Sequence, residues 1–131
     1  MPISFVFLPA SDIAAYVGEG NVSIGITGED IVAETGASVN VLMELGFGKC
    51  RLSVQAPVSS GISDVRELAG KRIVTSFPYL SNQFFQKHEA GPPTAIKTIS
   101  GSVEAACDLG LADGIVDLIE TGTTMRAAGL E

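Results

Sequence analysis

The 131 residues are 46% apolar and 18% charged, a balance that excludes a disordered chain and suits one domain or two small lobes. A formal charge of −7 argues against nucleic acid, which needs a basic footprint, and no apolar run is long enough to span a bilayer. Eight Lys and Arg in all leave little cation for an anionic substrate, so positive charge would have to come from Mg²⁺ or from outside the chain.

Residues 3–8, between Pro2 and Pro9, read as a buried strand and lack the basic flank of a signal peptide. Ser11 or Asp12 can cap a short helix at 12–18 that Gly20 ends. Residues 22–26 read as a strand, 29–34 as a helix start with acids in its first turn, and 39–45 as a further strand. A long strand at 50–58 follows, then a short helix at 64–68 capped by Ser63 and closed by Gly70. Residues 71–76 form a β-branched strand, and 78–88 a helix with Pro in its first turn. Gly91-Pro92-Pro93 breaks the chain before a strand at 94–99 and a helix at 102–109. The last elements are a strand at 114–119 and a helix at 123–128. From residue 63 onward helices and strands alternate with short links, the pattern of a parallel sheet wrapped by helices. Cys50 and Cys107 show no metal spacing and read as buried free thiols, in keeping with a reducing, cytoplasmic compartment.

Ligands of such sheets sit beyond the carboxyl ends of the strands, which directs attention to residues 117–124. There an apolar strand runs into an acidic corner and then into Thr121-Gly122-Thr123-Thr124, which opens a helix. Gly122 carries no Cβ to keep a ligand oxygen from the backbone. Thr121, Thr123 and Thr124 offer hydroxyls, and the N–H groups at the helix start have no intrahelical partner. A phosphate fits where these groups converge. Hydrogen bonds to a charged group contribute about 1.5–3 kcal/mol each, so three or four would supply roughly 5–10 kcal/mol before entropic costs. Asp117 and Glu120 flank the turn. Carboxylates there accept from a ribose diol and favour positive charge developing on a sugar carbon. The same residues also fit a plain turn with a threonine cap beside a surface acid.

Glu104, Gly110, Leu111-Ala112, Ile115, Asp117-Leu118, Thr121-Gly122 and Thr124-Met125, at their spacings here, resemble the signature of the ATP phosphoribosyltransferase family of histidine biosynthesis. Gly101-Ser102-Val103, Gly25-Ile26-Thr27-Gly28-Glu29-Asp30 and Val74-Thr75-Ser76-Phe77-Pro78 are also similar to that family, so the resemblance covers essentially the whole chain. It implies an α/β, two-lobed fold of the type II periplasmic-binding-protein kind. Residues 1–49 would be a partial first lobe, and 50–131 the second lobe with the phosphoribosyl-phosphate loop. It implies transfer of phosphoribosyl from phosphoribosyl pyrophosphate to N1 of the adenine of ATP, with Mg²⁺. Thr121, Gly122, Thr123 and Thr124 would then hold the 5′-phosphate. Asp117 would face the ribose hydroxyls with Glu120 near, as the catalytic pair. Glu104 and Ser102 would line the same pocket, Ser102 being equally placed to cap a helix. Mg²⁺ would ride on substrate phosphates without a protein ligand set. The implied partners are ATP and phosphoribosyl pyrophosphate, with no nucleic acid and no membrane, and full-length members would be homo-oligomers.

Family members begin earlier, with a strand and a basic Lys-Gly-Arg turn, and continue past the last helix. The resemblance therefore implies an incomplete first lobe, no feedback domain, and a weakly active or inactive chain. The alternative is a non-catalytic ligand-binding or subunit-interaction module of the solute-binding-protein type, which fold alone does not separate from an enzyme.

Overall fold

The chain divides at Phe47 into two units, Met1–Phe47 and Gly48–Glu131. Residues 1–88 and 93–131 are described in a computed structural model; most of the expected break at 91–93 lies outside them.

In the first unit, α1 (Ala10–Gly18) packs against α2 (Glu29–Thr35). Neither Ser11 nor Asp12 caps α1, because Pro9 stands at that position and its carbonyl takes the amides of Asp12 and Ile13 at 3.0 and 3.2 Å. Ala14 is buried, and Thr27 donates its hydroxyl to the Ala10 carbonyl at 3.1 Å, tying the interhelical loop to the start of α1. The strands expected at 3–8, 22–26 and 39–45 do not form. These segments make no ladder hydrogen bonds among the described residues, and Phe5, Phe7 and Leu42 stay 82%, 96% and 77% exposed. An apolar run gives a segment a preference for burial, but a strand exists only where a neighbour offers its N–H and C=O groups.

The second unit holds β1 (Arg51–Gln55), β2 (Arg72–Thr75), α3 (Pro78–Gln86), β3 (Ala95–Thr98), β4 (Gly114–Ile119) and α4 (Thr123–Ala127). Its sheet has the order β1-β4-β2-β3. β2 runs parallel to both β3 and β4, as the alternation of elements predicts, whereas β1 is antiparallel to β4, with Arg51 opposite Ile119 and Gln55 opposite Ile115. The fold class is therefore α/β with a mixed sheet. β1 is shorter than expected because the chain after Gln55 leaves β4. Ala56 exchanges both backbone hydrogen bonds with Glu131, at 3.0 and 2.9 Å, and Pro57 has no N–H to offer.

Two expected helices shrink to single 3₁₀ turns. Val65–Glu67 is capped by Asp64, not Ser63: Asp64 accepts from the Arg66 amide at 2.9 Å while Glu67 reaches back to the Asp64 amide at 3.2 Å. The segment 102–109 forms only the Val103–Ala105 turn, and further tight turns follow it. The burial of Val103 and Ala106, three residues apart, matches the three-residue repeat of that geometry.

Strand alternation builds a core on each face of the sheet. Val74 and Ile115 face Val103, Ala106 and Leu130, with Met125 and Ala128 of the α4 segment packed on this cluster. Ile73 and Val116 face Leu68, Phe85 and Ala56. Full burial of a side chain such as Ile115 or Phe85 stabilises the fold by about 1.5–3 kcal/mol. The thiols differ from expectation: Cys50 is exposed, and only Cys107 is partly buried, its thiol pushed up by burial and by nearby Asp108 and Asp113.

Candidate functional site at the β4–α4 corner

β4 fixes the corner by burying both faces at its start, Gly114, Ile115 and Val116, and emerging at Leu118 and Glu120. The chain then reverses through Gly122, whose φ of +82° is a left-handed conformation that L side chains rarely adopt, and enters α4. Thr121 and Thr123 share a hydroxyl–hydroxyl hydrogen bond of 3.0 Å, and the Thr123 amide donates to Thr121 Oγ1 at 3.3 Å. One of the helix-start amides is thus already spent. Those of Thr124 and Met125 have no backbone acceptor among the described residues. Thr121, Gly122, Thr123 and Thr124 line an open groove of ≈ 430 Å³ together with Glu120 and Cys50.

Gly122 plays a role the sequence did not suggest. A Cβ on it would meet the Arg126 guanidinium, with Nη1 at 3.0 Å and Cζ at 3.3 Å, so a side chain, not open space, occupies that side of the glycine. Arg126 also donates through Nη2 to the Thr121 carbonyl at 3.1 Å. Residues four apart meet on a helix, which places Arg126 beside Gly122, but nothing in the sequence pattern pointed to this contact.

Asp117 sits half-buried on β4, its Oδ1 accepting from the Leu118 amide at 2.9 Å. Burial, reinforced by the negative charge of Glu104, raises its carboxyl above the usual carboxylate range; the Leu118 hydrogen bond opposes this in part. The fold therefore brings Glu104 and Asp117 together, and separately gathers Glu120 with the threonines. Ser102 is exposed at the head of the Val103–Ala105 turn with φ +51°, the one non-glycine positive φ among the described residues, and its side chain makes no cap hydrogen bond. The cap alternative for Ser102 is thus not realised. A second groove of ≈ 370 Å³, between Val54 and Leu68, contains none of the candidate site residues 102, 104, 117 and 120–124. Among the described residues no helix is long and apolar enough to cross a membrane, and no group of three or more His, Cys, Asp or Glu gathers as a metal site.

A parallel strand that hands over through a left-handed glycine to a threonine-rich helix start defines an α/β domain with a threonine-lined corner at a strand's carboxyl end. The family model of ATP phosphoribosyltransferase matches residues 9–131, and the chain belongs to that family. It is similar to the ATP phosphoribosyltransferase of Eremothecium gossypii, with 51% identity over 98% of this chain and 45% of the relative. It is likewise similar to that of Saccharomyces cerevisiae, with 49% identity over 99% and 45%. Among solved structures it is similar to a chain of the ATP phosphoribosyl transferase (HisG:HisZ) complex from Thermotoga maritima. The TM-score is 0.82 and the identity 31%, covering 95% of this chain and 59% of that one. The fold is thus of the periplasmic-binding-protein-like kind seen in that neighbour. The chain spans a little under half the length of the curated relatives it matches.

Proposed function

We propose that the corner at residues 121–124 holds the 5′-phosphate of phosphoribosyl pyrophosphate, in a protein that transfers phosphoribosyl to N1 of the adenine of ATP as the first step of histidine biosynthesis. The observation that carries this reading is that Thr124 and Met125, whose amides have no backbone acceptor among the described residues, line one open groove with Thr121, Gly122 and Thr123, in a chain of this family. Thr121, Gly122, Thr123 and Thr124 bind the phosphate. Asp117, with Glu120 near, faces the ribose hydroxyls, and Ser102 and Glu104 form part of the wall. Adenine N1 already carries a lone pair, so the attack on the anomeric carbon calls for orientation and charge stabilisation more than for a strong base. As pyrophosphate leaves, positive charge grows on the sugar, and the negative charges of Asp117 and nearby Glu104 favour it.

The oxygen donors in the lining, the Glu120 carboxylate and the threonine hydroxyls, suit a hard cation carried in on substrate phosphates. Beside these oxygens Mg²⁺ would supply positive charge to offset that of the departing pyrophosphate. In this reading residues 1–49 belong to a first lobe and 50–131 form the second. ATP and phosphoribosyl pyrophosphate are the ligands, the compartment is cytoplasmic, and the whole protein assembles as an oligomer.

A second reading, a non-catalytic binding or subunit-interaction module, draws on the exposed apolar side chains Phe5, Phe7, Leu42 and Phe47. Thermal shift separates the two. Stabilisation by phosphoribosyl pyrophosphate with Mg²⁺, and not by ribose or amino acids, supports the transferase reading. Stabilisation by simple solutes alone would favour the module.

A further inference from the structure

All eight Lys and Arg lie in residues 48–131. The first unit, Met1–Phe47, holds Asp12, Glu19, Glu29, Asp30, Glu34 and Glu44 and no Lys, Arg or His, so its side chains carry a formal charge of −6. The same unit leaves backbone uncommitted. Among the described residues, 3–8, 23–26 and 39–45 neither give nor accept a backbone hydrogen bond. Residues 22–26 are nonetheless held in place. Gly25 lies on α1, where a Cβ would strike Ile13 Cγ2 at 2.6 Å and Val17 Cγ2 at 2.9 Å, and Thr27 fastens the end of the segment to the Ala10 carbonyl. With Gly25 turned to the helix, alternation turns Ile24 and Ile26 away from it, and each is 67% exposed. Residues 23–26 thus combine a braced back, an apolar front and N–H and C=O groups without backbone partners, which is what an added strand needs.

We propose that residues 22–26 receive an apolar β-strand carrying Lys or Arg from a second, different polypeptide. The proposal rests on the interaction-module reading above, adds the partner's chemistry, and uses nothing of the phosphate corner. Main-chain hydrogen bonds to the incoming strand supply affinity, and Ile24 and Ile26 meet its apolar side chains. Charge selects between occupants. A second copy using the same face would bring its own −6 unit against the first, a repulsion that no cation of either unit offsets. A basic strand is instead attracted. Glu44 stands within an open segment, and in a unit this small, about 10 Å in radius of gyration, the acids act together on a docked strand, the Debye length being about 8 Å in physiological salt.

The test uses the whole 131-residue chain and two acetylated probe peptides: Lys-Val-Lys-Ile-Lys-Val-Lys-Ile-Lys, and the same sequence with Glu for every Lys. Affinity is measured by calorimetry at about 50 and about 500 mM salt, amide shifts locate the site, and sedimentation reports self-association. The Lys peptide should bind about tenfold tighter than the Glu peptide, or more, at the lower salt, with the gap closing at the higher and shifts centred on 22–26. N-methylation of alternate Lys-peptide amides should abolish binding, since it removes the strand's donors. Ile24→Asn with Ile26→Asn, at two exposed positions, should weaken the Lys peptide about tenfold. Equal affinity of the two peptides, binding retained after N-methylation, or shifts at residues 48–131 in place of 22–26 overturns the proposal. So does self-association that strengthens with salt and blocks the peptide, which would make a second copy the occupant. Each of those results leaves an interaction module standing. If neither peptide binds and the chain stays a monomer, the interaction-module reading falls as well.

Discussion

Glu104, in the turn after β3, lies close enough to Asp117 on β4 for its charge to add to the burial that lifts the Asp117 carboxyl above its ordinary value of 3.8. A carboxyl whose pKa is higher folded than unfolded is held more tightly as the neutral acid by the native chain. Its advantage is fully present below pH 3.8 and is lost as pH rises through the raised native value, so at neutral pH the ionised Asp117 destabilises the fold. Asp117→Asn keeps an acceptor for the Leu118 amide and removes the charge. It should raise Tm at pH 7, by a few degrees at most, with the gain vanishing below pH 3.8. Glu104→Gln should raise Tm at pH 7 in the same direction. Thermal melts across pH check both; a loss of stability at pH 7 in Asp117→Asn would contradict the electrostatic origin.

Ser102 tests whether a strained residue is kept for its hydroxyl. At φ +51° a glycine fits without penalty, and the hydroxyl makes no cap bond that would be missed. Ser102→Gly should therefore fold with Tm unchanged or slightly raised, whereas Ser102→Val, β-branched in a left-handed conformation, should cost about 1–2 kcal/mol by denaturant titration. If the hydroxyl lines the substrate pocket, Ser102→Gly should also weaken binding of the ribosyl donor.

Gly122 carries two constraints that a double-mutant cycle can part. Gly122→Ala imposes a left-handed L residue and pushes a Cβ against Arg126 Nη1, and should destabilise the chain by about 1–2 kcal/mol. In an Arg126→Met background the contact is relieved but the backbone strain is not, so most of the cost should remain. Full recovery in that background would mean that crowding, not φ, dictates the glycine.

Ile115 joins the corner to the core, being fully buried in the cluster that carries Met125 and Ala128. Ile115→Ala should cost about 2–5 kcal/mol in urea unfolding. A cost well under 1 kcal/mol would show that the α4 segment is not seated on this face.

The parts of this fold that were legible in sequence are those whose cause is local. β4 spans the six residues read from its apolar run, Pro78 starts α3 where proline should, and Thr123 opens α4 after a glycine. The parts that were not legible depend on partners distant in sequence. β1 is antiparallel because of how it meets β4, a fact no local pattern carries. The apolar runs at 3–8, 22–26 and 39–45 have strand composition without strand partners among the described residues. At 102–109 helical propensity yields to a chain of tight turns that sink Val103 and Ala106 under β4. At the corner, the threonines and the glycine were visible as types. The direction of Gly122's missing side chain, and hence Arg126, needed coordinates.

The most direct measurement is a crystal structure of this chain grown with phosphoribosyl pyrophosphate and Mg²⁺. The 5′-phosphate should lie about 3 Å from the amide nitrogens of Thr124 and Met125, with the ribose toward Asp117 and Glu120. Density for the ligand beside Val54 and Leu68, or a corner left empty at saturating ligand, would contradict the assignment.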